Sequence, residues 1–241
     1  MEEKFIDKKK YYNDEMIDSF CDLIVDGYKH YHRIVTLYSL DPSKPILGYK
    51  TGPVLEDYKK FFYDRVNGAS KEINFVTKLK PKRSDTRLYR GINNLSINEY
   101  MRILKSNNHN VYRYGYYGDG MYFTMLENCA KIYSDEKGGV VEAKISKDTK
   151  VIDRAELLSV MKAFDEDVLN SEKFKSLPKE IQNYARKNVM HNELASMYAG
   201  MFGYDGIKSA DVYCMFKLDN VIFQDATQKK SHEVTSHNIS I

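Results

Sequence analysis

The 241-residue sequence has no tryptophan, only three cysteines and five prolines, and no long apolar run. Each shortage excludes something. No stretch approaches the ~20 apolar residues that a membrane-spanning helix needs. Met1-Glu2-Glu3-Lys4 carries charge of both signs, and no apolar run with a small-residue cleavage site follows it. Sec-type export is therefore not expected, and the expected location is cytoplasmic, with delivery into another cell by other means left open. Cys21, Cys129 and Cys214 are odd in number, far apart and without C-x-x-C spacing. That argues against a disulfide framework or a zinc site and for small thiols in a reducing compartment. His30 and His32 find no third ligand at a suitable spacing, so no metal is expected.

What is present suits a globular chain. Hydrophobic residues make up 42% and charged residues 29%, and the length buries a core without staples. The formal net charge is only +3, but positive charge is uneven. Lys78 to Arg90 reads KLKPKRSDTRLYR, with Asp85 as its one acid. Such a run is either a solvated loop or a contact for a phosphate-rich partner or cofactor. The 20 tyrosines suit binding surfaces without specifying one.

Along the chain, residues 2–40 place apolar side chains at helical spacing. Phe20, Leu23, Ile24 and Tyr28 share one face, and Ile34, Leu37 and Tyr38 a later one. DPSKP at 41–45 breaks this run. Leu55, Tyr58, Phe62 and Val66 predict a second helix, so residues 1–80 read as a helical N-terminal lobe. From Arg87 the pattern changes. RLYRGI is strand-like, and Ser96 with Glu99 has capping-box spacing ahead of the helix INEYMRILKS. A Gly-Asp-Gly turn at 118–120 opens an aromatic strand Met121–Thr124. A helix over 127–134, the strands VVEAKI and VID, a long helical region from Ala155 to Met201, and strands near 203–208, 211–218 and 221–223 complete the pattern. Residues 81–228 read as the core of an α+β fold, and 229–241 as a flexible polar tail.

Three segments, in order, resemble the ADP-ribosyltransferase superfamily. Leu88-Tyr89-Arg90-Gly91 is similar to its strand ending in Arg-Gly or His-Gly. Gly118-Asp119-Gly120-Met121-Tyr122-Phe123-Thr124 resembles its G-x-G-[IM]-Y-F-[TAS] strand, followed by Tyr133 in NCAKIYS. GYDGI at 203–207 with VYCMFKLDNV resembles the closing strand pair. The resemblance covers residues 87 to about 224 and implies a split β-sheet core that binds NAD as substrate. It implies cleavage of the nicotinamide–ribose bond and mono-ADP-ribosylation of a macromolecular acceptor, protein or nucleic acid. Small stand-alone transferases of this kind occur in bacteria and their phages as toxins, effectors or host-takeover proteins.

The residue types fit that chemistry. A planar guanidinium donates paired hydrogen bonds to phosphate, a role for Arg90. Gly91, with no side chain, lets the backbone approach the nicotinamide amide closely. Tyr122 and Tyr133 sandwich the nicotinamide ring, and Thr124 braces the ribose and a carboxylate. That carboxylate, which stabilises the oxocarbenium-like transition state, is a glutamate in the family. Here Val212 occupies its slot, and Asp211 lies one residue earlier. A strand alternates faces, so Asp211 needs a bulge or a loop to aim it. Asp205 and Glu193 are the other candidates. Arginine-modifying relatives carry an acid or glutamine two residues before the catalytic glutamate, whereas Ser209 stands two before Asp211, so arginine is not the first-choice acceptor. Two further readings stay open: a binding module that has lost its carboxylate and acts as an inhibitor, and an NAD glycohydrolase.

Overall fold

The structure is a computed structural model, describing residues 7–46, 52–67, 73–80, 82–106, 113–115 and 118–225. The tail expected at 229–241 lies outside them. Among the described residues no helix is long and apolar enough to cross a membrane. Helices and a mixed, mainly antiparallel set of strands make up the fold, in keeping with the α+β expectation. The chain forms two compact units, Met1–Ala69 with Tyr114–Gly120 and Lys150–Ser209, and Ser70–Arg113 with Met121–Thr149 and Ala210–Ile241.

The first unit is built on α1 (Asp14–Leu37) and α2 (Pro53–Asn67). They pack with α5 (Arg154–Asn170), α6 (Glu172–Ser176), α7 (Lys179–Asn188) and α8 (Ala195–Met201). Asn13 caps α1 by accepting from the Met16 amide at 3.0 Å, which satisfies a donor that the first turn cannot. The buried face of α1 runs Ile17, Phe20, Cys21, Ile24, Gly27, Tyr31, Ile34, one stripe at helical period. Leu37 and Tyr38, expected on a core face, are exposed because the helix ends there. Gly27 lets α2 come close: a Cβ on it would lie 2.6 Å from Phe62 Cζ.

This unit differs from the separate 1–80 lobe that the sequence suggests. Apolar faces of α1 and α2 cover those of α5, α7 and α8, pairings that local periodicity cannot reveal. Polar bonds inside this core are also long-range. The Tyr58 hydroxyl, fully buried, lies 2.7 Å from that of Tyr184 and donates to the Asn188 carbonyl at 2.9 Å. The Asn188 side chain in turn accepts from the Ile46 amide at 2.8 Å, tying down the chain after DPSKP. Burial pushes the Tyr58 phenol well up, so it acts as a neutral donor. Strands β6 (Val151–Asp153) and β7 (Gly206–Ser209) pair in parallel in this unit.

The second unit holds strands in the order β1 (Asn74–Val76), β9 (Val221–Gln224), β5 (Gly139–Ile145), β2 (Thr86–Ile92), β4 (Gly118–Thr124, of which Met121–Thr124 belong to this unit), β8 (Val212–Met215). A short β3 (Arg113–Gly115) also pairs with β4. The first pair is parallel and the others antiparallel. The β2–β5 ladder runs unbroken from Thr86–Ile145 to Ile92–Gly139. Two short helices belong to this unit, α3 (Ile97–Lys105) and α4 (Glu127–Ile132). The expected capping box opens α3, with Ser96 Oγ accepting from the Glu99 amide and the Glu99 carboxylate from the Ser96 amide. Gly118–Gly120, expected as a turn, is instead the first half of β4.

Candidate active site

Parts of the segments that carry the resemblance fall on adjacent strands of the second unit, whereas GYDGI at 203–207 belongs to the first. β2 holds Arg90 and Gly91, β4 holds Tyr122 and Thr124, and β8 begins at Val212. Tyr89 pairs with Thr124, Thr124 with Val212, and Tyr122 with Cys214. Directly opposed residues share a face of the sheet, and alternate residues of a strand share one too. Gly91, Tyr122, Thr124 and Val212 therefore lie on one face. Tyr122 is half-buried, and Thr124 is buried with its hydroxyl accepting from the Leu126 amide at 3.1 Å.

The C-terminal end of α4 sits directly on Gly91. A Cβ there would lie 2.1 Å from the Ala130 carbonyl oxygen and 2.8 Å from the Tyr133 carbonyl carbon. Glycine is required because helix backbone fills the space. The contact also fixes Tyr133, at the C-cap of α4, beside Gly91. Its ring is 70% exposed, on a surface where Met125, Leu126 and Ile132 are exposed too, and an exposed ring is free to stack on a flat ligand.

Arg90 is in mid-strand rather than at the strand end, and alternation puts it on the opposite face, with Leu88 and Ile92. Its guanidinium stays on that side, by Tyr100, whose hydroxyl donates to Met121 Sδ. Nη1 donates to the Tyr122 carbonyl at 2.8 Å, and the group lies 5.8 Å from the centre of the Tyr100 ring. Among the described residues β2 and β4 pair at Tyr89–Thr124 alone; beyond it Arg90 bridges to the Tyr122 carbonyl. Its Nε is buried with no hydrogen-bond partner among the described residues.

The three candidate carboxylates divide between the units. Asp211 belongs with Arg90 and Tyr122, whereas Asp205 and Glu193 belong to the helical unit. Asp211 is exposed, in a two-residue turn with Ala210, whose φ is 50°. Its carbonyl accepts from the Met125 amide at 2.9 Å, pinning the turn to the end of β4. Burial first, then the Asp211 charge, raises the Tyr213 phenol. Asp211 precedes β8 in that turn, where strand alternation does not set its direction.

Asp205 holds β6 and β7 together: its carboxylate accepts from the Lys150 amide at 3.0 Å, while its own amide donates to the Lys150 carbonyl at 2.7 Å. Glu193 sits in a 3-10 turn, Asn192–Leu194, where it joins a charged group the sequence reading missed. Lys59, on the core face of α2, is only 5% exposed and lies 3.7 Å from Asp119 and 3.6 Å from Glu193. Asp119 is 6% exposed; its amide donates to Ser196 Oγ at 3.1 Å, and its Oδ1 has no hydrogen-bond partner among the described residues. Burial pushes its carboxyl up to about 6 against the pull of Lys59. A lysine between Tyr58 and Phe62 on an apolar stripe is the signal that could have exposed it.

No protein-family model, no curated protein and no solved structure matches this chain.

Proposed function

We propose that the chain is a mono-ADP-ribosyltransferase with a split-sheet core, which cleaves NAD, releases nicotinamide and transfers ADP-ribose to a macromolecule. One observation carries the reading. Segments far apart in sequence bring Gly91, Tyr122, Thr124 and Tyr133 to one face of three adjacent strands, with Arg90 bridging the first two. In this reading the nicotinamide stacks on the exposed Tyr133 ring, which α4 holds beside Gly91, with Tyr122 on its other side. Thr124 holds the nicotinamide-side ribose, and the Arg90 guanidinium supplies positive charge toward the pyrophosphate. Asp211 is the one candidate carboxylate in the same unit.

A second reading is favoured by one pairing. Val212, which has no charge to offer an oxocarbenium-like sugar, stands directly opposite Thr124. On that ground the chain is an NAD-binding module without turnover. NAD labelled in its adenylate phosphate, incubated with the protein and with or without cell lysate, separates the readings. Labelled macromolecule formed only with lysate, together with free nicotinamide, is the expected result. Nicotinamide release without any acceptor indicates a glycohydrolase. Saturable NAD binding with no release indicates a binder, and no NAD binding at all overturns the assignment.

A further inference from the structure

The basic run between β1 and β2 has no part in the chemistry above. Lys78, Lys80, Lys82, Arg83 and Arg87 against Asp85 give this short segment more positive charge than the chain's whole formal net charge of +3. Its described residues Leu79 and Lys82 are held by hydrogen bonds from their backbone amides. Leu79 is buried, 7% exposed, and its amide donates to Gln224 Oε1 at 3.4 Å. The residues on either side, Lys78 and Lys80, are exposed, as are Lys82, Arg83 and Arg87.

The one acid is already engaged. Asp85 accepts from the Lys82 amide at 3.0 Å and pairs with Lys144 at 2.7 Å, with little of its side chain exposed. Arg87 pairs with Glu142 at 2.9 Å. Lys78, Lys80, Lys82 and Arg83 make no ion pair among the described residues. Past the end of β5, which pairs Ile145 with Thr86, exposed Lys147 adds a cation, offset by its neighbour Asp148.

We infer that Lys78, Lys80, Lys82 and Arg83 form a docking surface for the phosphate backbone of a nucleic acid. Unpaired cations on an anchored segment cost little ordering entropy on binding and release condensed counterions from a polyanion. Repeated phosphates match a row of cations that has no acid between its members from Lys78 to Arg83. A lipid surface is the poorer fit, because stable membrane contact adds inserted apolar groups, and the apolar member of this row, Leu79, is turned into the core.

The test needs neither NAD nor turnover, so it stands or falls apart from the proposed activity. Binding of fluorescein-labelled 20-nucleotide single strands, RNA and DNA, is followed by anisotropy across a salt series. The comparison is with K78Q/K80Q/K82Q/R83Q, and with K9Q/K60Q/K162Q/K187Q, which removes the same charge from exposed positions in the other unit. Circular dichroism checks that both variants are folded. The parent and the second variant are expected to bind alike. The first variant should bind at least tenfold more weakly, with the slope of log affinity against log salt reduced by about 2–3, at roughly 0.7 per lost phosphate contact. Equal binding by both variants overturns the inference. So does failure of the parent to bind either strand, or equal affinity for polyglutamate or phosphatidylserine vesicles.

Discussion

Arg90 Nη1 donates to the Tyr122 carbonyl at 2.8 Å, joining the two strands that carry the candidate nicotinamide pocket. A charged donor to a backbone carbonyl contributes on the order of 1.5–3 kcal/mol, so Arg90 has a structural share as well as a proposed binding share. Arg90→Ala is expected to lower stability in urea by about that amount. It should also weaken NAD binding at least tenfold in calorimetry at temperatures where both proteins are folded. Arg90→Lys lacks the planar fork and should recover only part of each effect. Unchanged NAD affinity in folded Arg90→Ala removes Arg90 from the site.

Gly91→Ala tests the approach of α4. The added Cβ meets the Ala130 carbonyl at 2.1 Å, and a helix backbone cannot step aside as a side-chain tip can. A loss of about 1–3 kcal/mol, the usual range for overpacking, is expected. Displacement of α4 carries Tyr133 with it, so NAD affinity should fall as well. Tyr133→Ala should weaken NAD binding while leaving the melting temperature within a degree or two, since the ring is mostly exposed. Full stability in Gly91→Ala would show that the close packing on Gly91 is not needed.

Local chemistry was readable in the sequence, and distant pairing was not. The Ser96–Glu99 capping box lies within four residues and is present. β2, β5 and β6 follow from alternation and β-branching. Gly118-Asp119-Gly120 looked like a turn because glycine is a turn residue in isolation; in the structure it is strand. The full make-up of the helical unit is hidden for the same kind of reason. Which helices cover α1 and α2 depends on apolar faces more than a hundred residues away. At the site, the glycines and tyrosines were legible as motif letters. The bridging by Arg90 and the burial of Lys59 with Asp119 were not, because both depend on strand register and packing.

Two buried acids predict a pH signature. Burial raises Asp119 to about 6 and Asp165 to about 7, the latter despite the hydrogen bond that Tyr198 donates at 2.6 Å. A carboxyl raised in the folded state holds its proton there while the unfolded chain has lost it. Each group therefore costs stability progressively as pH rises from about 4 toward its folded value. Asp165→Asn should flatten the dependence of melting temperature on pH between about 4 and 7, and Asp119→Asn between about 4 and 6. At a shift of two to three units, each step amounts to about 3–4 kcal/mol at most. Parallel curves for parent and variant across those windows would show that the acid ionises normally.

The last prediction concerns Asp211, and it decides between enzyme and binder. The carboxylate sits one residue before β8, in the turn with Ala210, while Val212 opposes Thr124. Its turn is fixed by the bond from the Met125 amide to its own carbonyl, which any side chain leaves intact. Asp211→Asn should therefore preserve fold and NAD binding. If Asp211 stabilises the developing sugar cation, nicotinamide release should fall ~10²-fold or more, as for other preorganised electrostatic groups. Asp205→Asn should mainly destabilise, because it weakens the acceptor for the Lys150 amide. Glu193→Gln should do little to turnover. Val212→Glu is the complementary test: it places a carboxylate directly opposite Thr124, on the face shared with Gly91 and Tyr122. In a binder that lost its carboxylate, this variant gains nicotinamide release that the parent lacks. In an enzyme that uses Asp211, it only enlarges a side chain beside the nicotinamide-side ribose and should weaken NAD binding instead. A parent that turns over NAD, with Asp211→Asn equally active, rules out Asp211 as the catalytic carboxylate.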